Sequence, residues 1–467
     1  MEHDVFVLIP GILGSVLQKD GKDVFGLTAG AGFRALFSGG HSLQSMLLTE
    51  DPWPEKEPGD EEPKSPPELG DGVTAGRVAS DAHLVPGLWK VDGYTKIGDF
   101  LRRRFDLADG ENYFELPYDW RRDNRAAAHQ LALSSRIWLA KRREQYPDAK
   151  LVLVGHSMGG LVSRYFLEVL GGWRDTRRLI TFGTPYRGSL NAVEFVAHGF
   201  KKFFGLVDLT ELMCSFTSVH QLLPIYRCVE VGKDKMARLT EVPEVLPRLT
   251  PQQIASARAF HSEIEDAVAR HLQDDEYRER GYQVRPVVGI EQPTNQSAVW
   301  ARGRLEILRT YGDKDLGGDG TVPRVSASPQ EANSDATAMF SSDKHASLQN
   351  ADGVHTQLRG WMQNINLGDF KFIAPVTVKV DIAEVHRQGE PAPLLLSPTW
   401  ATLAVRASLT YVGGPGAEAE PQSAVEIPVL DGVQEVALPT GAPGVYRLRV
   451  EGDEIEPVTD LLVVAPA

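Results

Sequence analysis

A serine between two glycines is the strongest chemical signal in the sequence. Ser157 stands in the pentapeptide Gly155–Gly159 (Gly-His-Ser-Met-Gly), directly after the apolar run Leu151–Val154 and directly before a helical pattern. In this strand–turn–helix context Gly-x-Ser-x-Gly is typical of a nucleophile elbow, because the glycines let strand and helix approach while the hydroxyl is exposed at the turn. The hydroxyl then lies at a helix N-terminus, where developing negative charge is stabilised. The pattern predicts that Ser157 is a nucleophile.

A serine nucleophile needs a base and a carboxylate that orients the base. After a nucleophile elbow these residues follow along the chain in the order acid, then histidine. A glycine-rich loop, Gly312–Pro323, follows the predicted strand Leu305–Tyr311 and contains three candidate acids, Asp313, Asp315 and Asp319. We predict Asp319 as the acid because glycines flank it on both sides. An acidic surface turn or a calcium loop is the alternative for this segment.

The predicted base is His345, in the polar loop Ser341–Asn350 that precedes a helical pattern. His156 is next to the nucleophile, but the geometry of an elbow directs its side chain away, into hydrogen-bonded packing. His355 lies inside the following helix, where we expect a surface or packing role. Of the twelve histidines in the chain, His345 therefore fits the role of the base.

An oxyanion hole requires two backbone N–H groups close to the serine. One is predicted to be that of Met158, the residue after the nucleophile. The other is predicted to be that of Ile12, in the glycine-containing loop Pro10–Ser15 that follows the predicted strand Val5–Ile9. An ordinary glycine turn is the alternative for this loop. The predicted chemistry requires neither a metal ion nor a cofactor.

Further motifs carry a family resemblance. They are Pro10–Gly14, Val91–Tyr94, Gly110–Phe114, Pro117–Arg121 (Pro-Tyr-Asp-Trp-Arg), Gly155–Gly160, Thr181–Pro185, Gly188–Ser189, Ser218–Pro224 and Gly318–Val322. With these motifs the sequence, over roughly residues 3–365, resembles the lecithin–cholesterol acyltransferase family, which includes lysosomal phospholipases.

The resemblance implies an α/β-hydrolase fold whose serine takes an acyl group from a lipid ester and passes it to water or an alcohol. It also implies that Asp319 is the acid. The sequence departs from well-known members in lacking a secretory signal, in having two cysteines and in carrying an extra C-terminal segment. The lipid class and the acyl acceptor therefore stay open. For Tyr118–Arg121 we expect a buried structural corner, since neither the acid nor the base requires these residues.

The length of 467 residues predicts two domains. The first, residues 1–367, is the predicted α/β-hydrolase domain, with a lid insertion at about 26–80 and a cap at about 186–282. The second, residues 370–467, is a predicted β-sandwich with an accessory or interaction role, because short segments of alternating polarity are separated by turns. These segments are 376–382, 401–407, 424–430, 433–438 and 444–450. A protein partner and a purely stabilising role are the two alternatives for this domain.

Two insertions suggest contact with lipid. Residues 27–48 mix small and apolar residues, and residues 52–72 are rich in proline and acidic residues. We predict that this insertion is a lid that opens at a lipid surface, with a neutral surface insertion as the alternative. The apolar segment Val193–Val207 is interpreted either as an interfacial helix or as a cap helix packed on the core.

Composition restricts the partners and the compartment. The net charge of −14 argues against nucleic acid and anionic membranes as electrostatic partners. The sequence shows no transmembrane run and no signal peptide, from which we expect a cytoplasmic protein that can associate peripherally with a membrane. In such a compartment Cys214 and Cys228 are expected to be free thiols, with a disulfide as the alternative.

Three functions are compatible with these features. The leading hypothesis is a serine acyl hydrolase or acyltransferase on lipid esters, of the lipase or phospholipase type. The second keeps the triad but assigns a soluble ester, thioester or amide, since a triad does not identify the leaving group. The third is an inactive hydrolase-fold scaffold with a β-sandwich adaptor. The intact set of Ser157, Asp319 and His345 argues against the third.

Overall fold

A computed structural model describes residues 3–25, 46–52, 67–80, 82–85, 89–199, 201–202, 207–208, 210–233, 235–331, 338–362, 376–413 and 423–466. The helices in these ranges are α1 (Thr95–Phe105), α2 (Asn124–Arg143), α3 (Met158–Glu168), α4 (Leu190–His198), α5 (Thr210–Ser215), α6 (Thr217–His220), α7 (Pro251–His271), α8 (Asp275–Arg280) and α9 (Asp352–Met362).

The strands of the N-terminal part are β1 (Val5–Ile9), β2 (Ser15–Lys19), β3 (Lys22–Phe25), β4 (Val73–Val78), β5 (Ala82–Val85), β6 (Trp89–Asp92), β7 (Tyr113–Glu115), β8 (Leu151–His156), β9 (Thr176–Phe182), β10 (Lys201–Lys202), β11 (Val207–Asp208), β12 (Val229–Gly232), β13 (Lys235–Ala237), β14 (Gln283–Gly289), β15 (Ser297–Ala301), β16 (Arg304–Leu308) and β17 (Met339–Ser341). Those of the C-terminal part are β18 (Val378–Ile382), β19 (Val385–Arg387), β20 (Ala392–Pro398), β21 (Thr402–Gly413), β22 (Ser423–Leu430), β23 (Gln434–Leu438), β24 (Gly444–Glu451) and β25 (Val458–Ala465).

A six-stranded parallel sheet forms the centre of the N-terminal part. Its order is β17-β14-β9-β8-β1-β7. Strands β1 and β8 are buried at every position, as expected for a parallel sheet that helices cover on both faces. Apolar residues of α2, α3 and α7 belong to the core on one face, and those of α1 and α9 to the core on the other. The predicted α/β-hydrolase fold is confirmed.

The strand predicted before the acid loop is present, and it lies outside the central sheet. A strand does form within the predicted segment, as β16, but it pairs with β15 in a separate four-stranded sheet of order β13-β12-β15-β16. The core strand before the acid loop is β14, and a parallel bridge between Gln292 and Asp319 brings the loop back to its end. Alternating polarity predicts a half-buried strand, but it does not identify the strand with which it pairs.

The predicted cap separates two neighbouring core strands, β9 and β14, which pair in parallel. Its helix α4 buries Val193, Phe195 and Val196 in the core, so the described helical part of the apolar segment packs on the protein. Cys214 and Cys228 are free thiols. Within the described ranges, no helix combines the length and the apolar character needed to cross a membrane.

The predicted lid falls largely on residues 26–45 and 53–66, which lie outside the described residues. Its described flanks pack on the hydrolase core. Met46 is buried, and both its carbonyl oxygen and the carboxylate of Asp71 accept hydrogen bonds from Arg121. A deletion that tests the lid hypothesis must therefore keep Met46 and Asp71, because removing them leaves the buried Arg121 without these partners.

Two sheets form the all-β C-terminal part, of orders β18-β20-β23 and β19-β25-β24-β21-β22. They enclose a common apolar core, as in a β-sandwich. Strands β19, β20 and β25 were not predicted from the sequence. All eight residues of β25 are buried, so this strand lacks the alternation on which the prediction depended.

Candidate active site

The turn between β8 and α3 has the conformation of a nucleophile elbow. Ser157 adopts φ 52° and ψ −123°, and its N–H donates to the carbonyl oxygen of Phe182 at 2.8 Å. A Cβ atom on Gly159 would collide with the carbonyl oxygen of Ile9, and one on Gly160 would collide with the side chain of Thr184. The close approach of these segments explains why the sequence has glycine at both positions.

Three predicted residues meet at this turn. The Nε2 atom of His345 lies 2.9 Å from Oγ of Ser157, and its Nδ1 atom lies 2.7 Å from Oδ2 of Asp319. All three residues are buried. Because an ionised carboxylate only accepts, Nδ1 of His345 carries the proton in this pair, and Nε2 is left to accept the serine proton. This is the geometry of a nucleophile, a base and an orienting acid.

Backbone groups fix the carboxylate of Asp319. Its Oδ1 atom accepts hydrogen bonds from the N–H groups of Thr321 and Val322 at 2.9 and 2.7 Å. Asp315, by contrast, accepts from Gln296 and from the N–H of Gly317, and it forms an ion pair with a lysine of the C-terminal part. Asp313 is exposed. Of the three candidate acids, the structure brings only Asp319 to His345.

Two glycines that the sequence analysis did not assign also border the acid and the base. Gly183 has φ 53°, and a Cβ atom there would lie 2.7 Å from Oδ2 of Asp319 and 2.8 Å from Nδ1 of His345. A Cβ atom on Gly289 would collide with the side chain of Asp319. Gly183 directly follows β9, and Gly289 is the last residue of β14. A glycine at the carboxyl end of a core strand is the sequence signal that could have identified both.

The loop after β1 passes against the nucleophile. A Cβ atom on Gly11 would lie 2.9 Å from Cβ of Ser157. Ile12 follows Gly11 in this loop and is buried, and Met158 is the first residue of α3. The structure therefore places Ile12 and Met158 on the two backbone segments that border Ser157.

A buried hydrogen-bond chain connects the loop after β1 to the backbone of His345. The N–H of Gly11 donates to Oη of Tyr94 at 2.8 Å, and this hydroxyl lies 2.9 Å from Nδ1 of His156. The Nε2 atom of His156 lies 3.0 Å from the carbonyl oxygen of His345. Because a carbonyl only accepts, Nε2 of His156 carries the proton and Nδ1 accepts from Tyr94. Burial, aided by the neighbouring His345, lowers the pKa of His156 to about 3, so this side chain is neutral.

His156 is therefore buried and hydrogen-bonded, as expected from the sequence. The contact of Tyr94 with His156 was not predicted. The other alternative base, His355, also has a packing role. Its Nε2 atom lies 2.8 Å from the carbonyl oxygen of Gln349, and its ring stacks on Phe100 with a centroid distance of 4.3 Å.

The Pro-Tyr-Asp-Trp-Arg motif holds the loop after β1 from the other side. The hydroxyl of Tyr118 donates to the carbonyl oxygen of Pro10 at 2.8 Å, and Nε1 of Trp120 donates to that of Ser15 at 3.0 Å. Arg121 is fully buried and forms an ion pair with Asp119. The motif is a structural corner that supports both ends of the predicted oxyanion loop.

A cavity of about 520 Å³ adjoins the triad. Asp319 and His345 form part of its wall, and helix α4 of the cap contributes Phe195 and His198. Asp460, from the C-terminal part, also lines it. Cap, triad and C-terminal sandwich therefore border one space next to the base.

Comparison with known proteins agrees with the sequence motifs. Residues 102–284 match the family model of lecithin:cholesterol acyltransferase. The resemblance to this family is confirmed over that segment. A protein named lysosomal phospholipase A and acyltransferase from Homo sapiens is 32% identical over 122 residues, and the one from Rattus norvegicus is 31% identical over 122 residues. Each match covers 25% of this chain, and the chain spans 29% of the length of either relative.

Two matches among solved structures are a lipase and a phospholipase. The mature form of the lipase BlEst2 from Bacillus licheniformis is 13% identical, with a TM-score of 0.32 over 76% of this chain and 91% of that one. The phospholipase PlaB from Legionella pneumophila is 10% identical, with a TM-score of 0.20 over 80% of this chain and 89% of that one. Both TM-scores are low, and the fold assignment rests on the strand order and the turn at Ser157.

Proposed function

We propose that this protein is a serine acyl hydrolase or O-acyltransferase that acts on lipid esters. The observation that carries the proposal is the buried hydrogen-bond chain from Ser157 through His345 to Asp319, with distances of 2.9 and 2.7 Å. The family match over residues 102–284 supports a lipid acyl substrate, and so do the relatives named phospholipase A and acyltransferase.

In the first half-reaction, Nε2 of His345 takes the proton of Ser157 as Oγ bonds to the acyl carbonyl carbon. Asp319 stabilises the imidazolium through the proton on Nδ1. The carbonyl oxygen becomes an oxyanion, which accepts hydrogen bonds from the N–H groups of Ile12 and Met158. Each such donor lowers the barrier by about 3 kcal/mol.

The intermediate collapses when the imidazolium of His345 gives its proton to the leaving alcohol oxygen, which departs and leaves an acyl ester on Ser157. In the second half-reaction His345 removes a proton from water or from an acceptor alcohol, whose oxygen attacks the acyl carbon. The C–O bond to Ser157 then breaks, and the serine regains its proton. Water gives a fatty acid, and an alcohol gives a new ester.

The test compares the wild type with Ser157→Ala on fluorogenic phospholipid vesicles and on a short soluble ester, with mass spectrometry of the product lipids. Ser135→Ala is the control, because its buried hydroxyl donates only to a carbonyl of its own helix, that of Ala132. We expect Ser157→Ala to abolish release of fatty acid or formation of a transacylated lipid, and Ser135→Ala to retain activity.

Each other outcome would change the proposal. Serine-dependent turnover of the short ester alone would contradict the lipid substrate and favour a soluble-ester enzyme. Turnover that Ser157→Ala leaves intact, or no turnover of either substrate, would contradict the serine mechanism and favour a scaffold.

A further inference from the structure

The last strand of the chain belongs to two cores at once. Val458, Leu462 and Val464 of β25 lie in the apolar core of the C-terminal sandwich. Val463 and Ala465 lie in the core of the α/β part. The sandwich is therefore packed against the α/β part through buried surface, and the N-terminal end of β25 lies beside the loop that carries His345.

The contacts at this end concern the residues immediately before His345. The hydroxyl of Ser341 donates to Glu456 at 2.7 Å, and Oδ1 of Asp343 accepts from the N–H of Thr459 at 2.6 Å. Three of the four residues 341–344 contact the segment 456–460, namely those at 341, 343 and 344. The C-terminal sandwich thus supplies much of the support for the histidine loop.

Asp460 is the centre of the third contact. Its carboxylate lies 3.0 Å from Nζ of Lys344 and 2.7 Å from Nζ of Lys90, and Lys90 also lies 3.4 Å from Glu384. Asp460 is 1% exposed. Burial by itself raises the pKa of Asp460, but the charges of Lys344 and Lys90 lower it to about 2. The carboxylate is therefore ionised, and removal of its charge takes away the ion-pair partner of Lys344 and leaves Lys90 with Glu384 alone.

Lys344 is covalently adjacent to the proposed base. The N–H of His345 donates to the carbonyl oxygen of Asp319 at 2.9 Å, and its own carbonyl accepts from His156. A shift of the backbone at Lys344 would therefore move the imidazole relative to both Ser157 and Asp319. Catalytic groups must be held to within about 0.5 Å of the productive geometry.

We propose, on the basis of the function proposed above, that the C-terminal sandwich is part of the catalytic machinery and that Asp460 is a positioning residue. It holds the loop before His345 through the ammonium group of Lys344. The sandwich is then required for the chemical step, and this role is separate from any binding of a partner.

The test uses the full chain and the short soluble ester. Asp460→Asn and Lys344→Met each remove one side of the ion pair. The control is Lys379→Met, because Lys379 forms an exposed ion pair of 3.1 Å between the sandwich and Asp315 and contacts nothing next to His345. We expect kcat to fall by about 10- to 100-fold in the two variants, with KM changed by less than about 2-fold. The control should keep the wild-type kcat.

A double variant separates positioning from stability. Lys344→Met combined with Asp460→Asn removes both charges and leaves Lys90 paired with Glu384. We expect its thermal midpoint to recover relative to Asp460→Asn, while kcat stays low because the link to the loop is still missing. Recovery of kcat together with the midpoint would overturn the proposal, since the defect would then be charge imbalance alone.

Two readouts distinguish this inference from the function on which it rests. A fluorophosphonate that fails to label Ser157 in the wild type would contradict the serine mechanism itself. The hydrogen-bonded Nδ1 proton of His345, observed by NMR of 15N-histidine protein, reports positioning without turnover. We expect this signal to shift or broaden in Asp460→Asn and to stay unchanged in Lys379→Met. An unchanged signal and an unchanged labelling rate in Asp460→Asn would overturn the positioning role.

Discussion

The hydrogen bond from His345 to Asp319 decides which ring nitrogen carries the proton. An asparagine at position 319 can donate its amide N–H to Nδ1, which favours the tautomer with the proton on the side of Ser157. We expect Asp319→Asn to lower kcat for a short ester by about ten-thousand-fold. Asp315→Asn should keep kcat within about 2-fold of the wild type, because its carboxylate contacts Gln296 rather than the base. Similar losses in both variants would contradict the assignment of Asp319.

Tyr94 is expected to affect the chemical step without touching the triad. In Tyr94→Phe the buried N–H of Gly11 loses its acceptor and His156 loses its donor, so the oxyanion loop is free to shift. We expect kcat to fall by about 10-fold and the free energy of unfolding to fall by about 1–3 kcal/mol.

Tyr113→Phe is the matched control for Tyr94→Phe, because Tyr113 is also buried and its hydroxyl donates to Glu115 rather than to a residue of the oxyanion loop or His156. Chemical denaturation should show a loss of stability in both variants, whereas steady-state kinetics should show a loss of kcat in Tyr94→Phe alone. Equal kcat in the two variants would show that the chain through Tyr94 is only structural.

For individual residues, the sequence identifies those proposed to react but not those that position them. Ser157 has a local motif, and the order of acid and base along the chain leads to Asp319 and His345. Tyr94 contacts Gly11 across 83 residues and His156 across 62 residues. No local pattern predicts such contacts, because tertiary packing alone creates them.

The elbow between β8 and α3 depends on the close approach of β1. A methyl group on Gly159 would meet the carbonyl oxygens of Ile9 and Pro10, which belong to the backbone and have no rotamer to change. We expect Gly159→Ala to lower the free energy of unfolding by about 3 kcal/mol and to lower kcat by at least about 10-fold. Gly232→Ala is the control, because nothing lies within 4 Å of the added Cβ atom. A stable, active Gly159→Ala would contradict the close approach of β1 to the elbow.

Elements with a clear local period were predicted, and those whose identity depends on a partner were not. The strand and helix around Ser157 were identified because both have a continuous apolar pattern. The strand β16 was predicted, but its pairing with β15 was not, since strands in different sheets can have the same alternation. Strand β25 was missed because burial on both of its faces removes the alternation.

At the scale of the whole molecule, the fold class follows from the sequence but the relation between its two parts does not. The elbow indicates an α/β-hydrolase, and the short alternating segments indicate a sandwich. Nothing in either pattern predicts that the segment 456–460 lies against the histidine loop. Such an interface consists of single polar residues such as Asp343 and Asp460, and in a sequence they look like surface residues.

This interface gives the stability of the protein a dependence on pH. Burial raises the pKa of Asp343 from 3.8 to about 8, and the carboxylates of Glu456 and Asp92 add to the effect. In the folded protein Asp343 therefore keeps its proton up to about pH 8, whereas in the unfolded chain it loses the proton near pH 4. The stabilisation from this group is complete below pH 4 and is lost as the pH rises to 8, by at most about 1.4 kcal/mol per pH unit.

Asp343→Asn isolates this contribution, because an asparagine keeps an oxygen that can accept from the N–H of Thr459 but does not titrate. We expect its urea midpoint relative to that of the wild type to increase steadily between pH 4 and 8 and to stay constant above pH 8. The measurement is urea unfolding of both proteins at pH 5, 7 and 9. If the two midpoints changed in parallel across this range, Asp343 would be ionised in the folded protein. The N–H of Thr459 would then donate to a charged carboxylate.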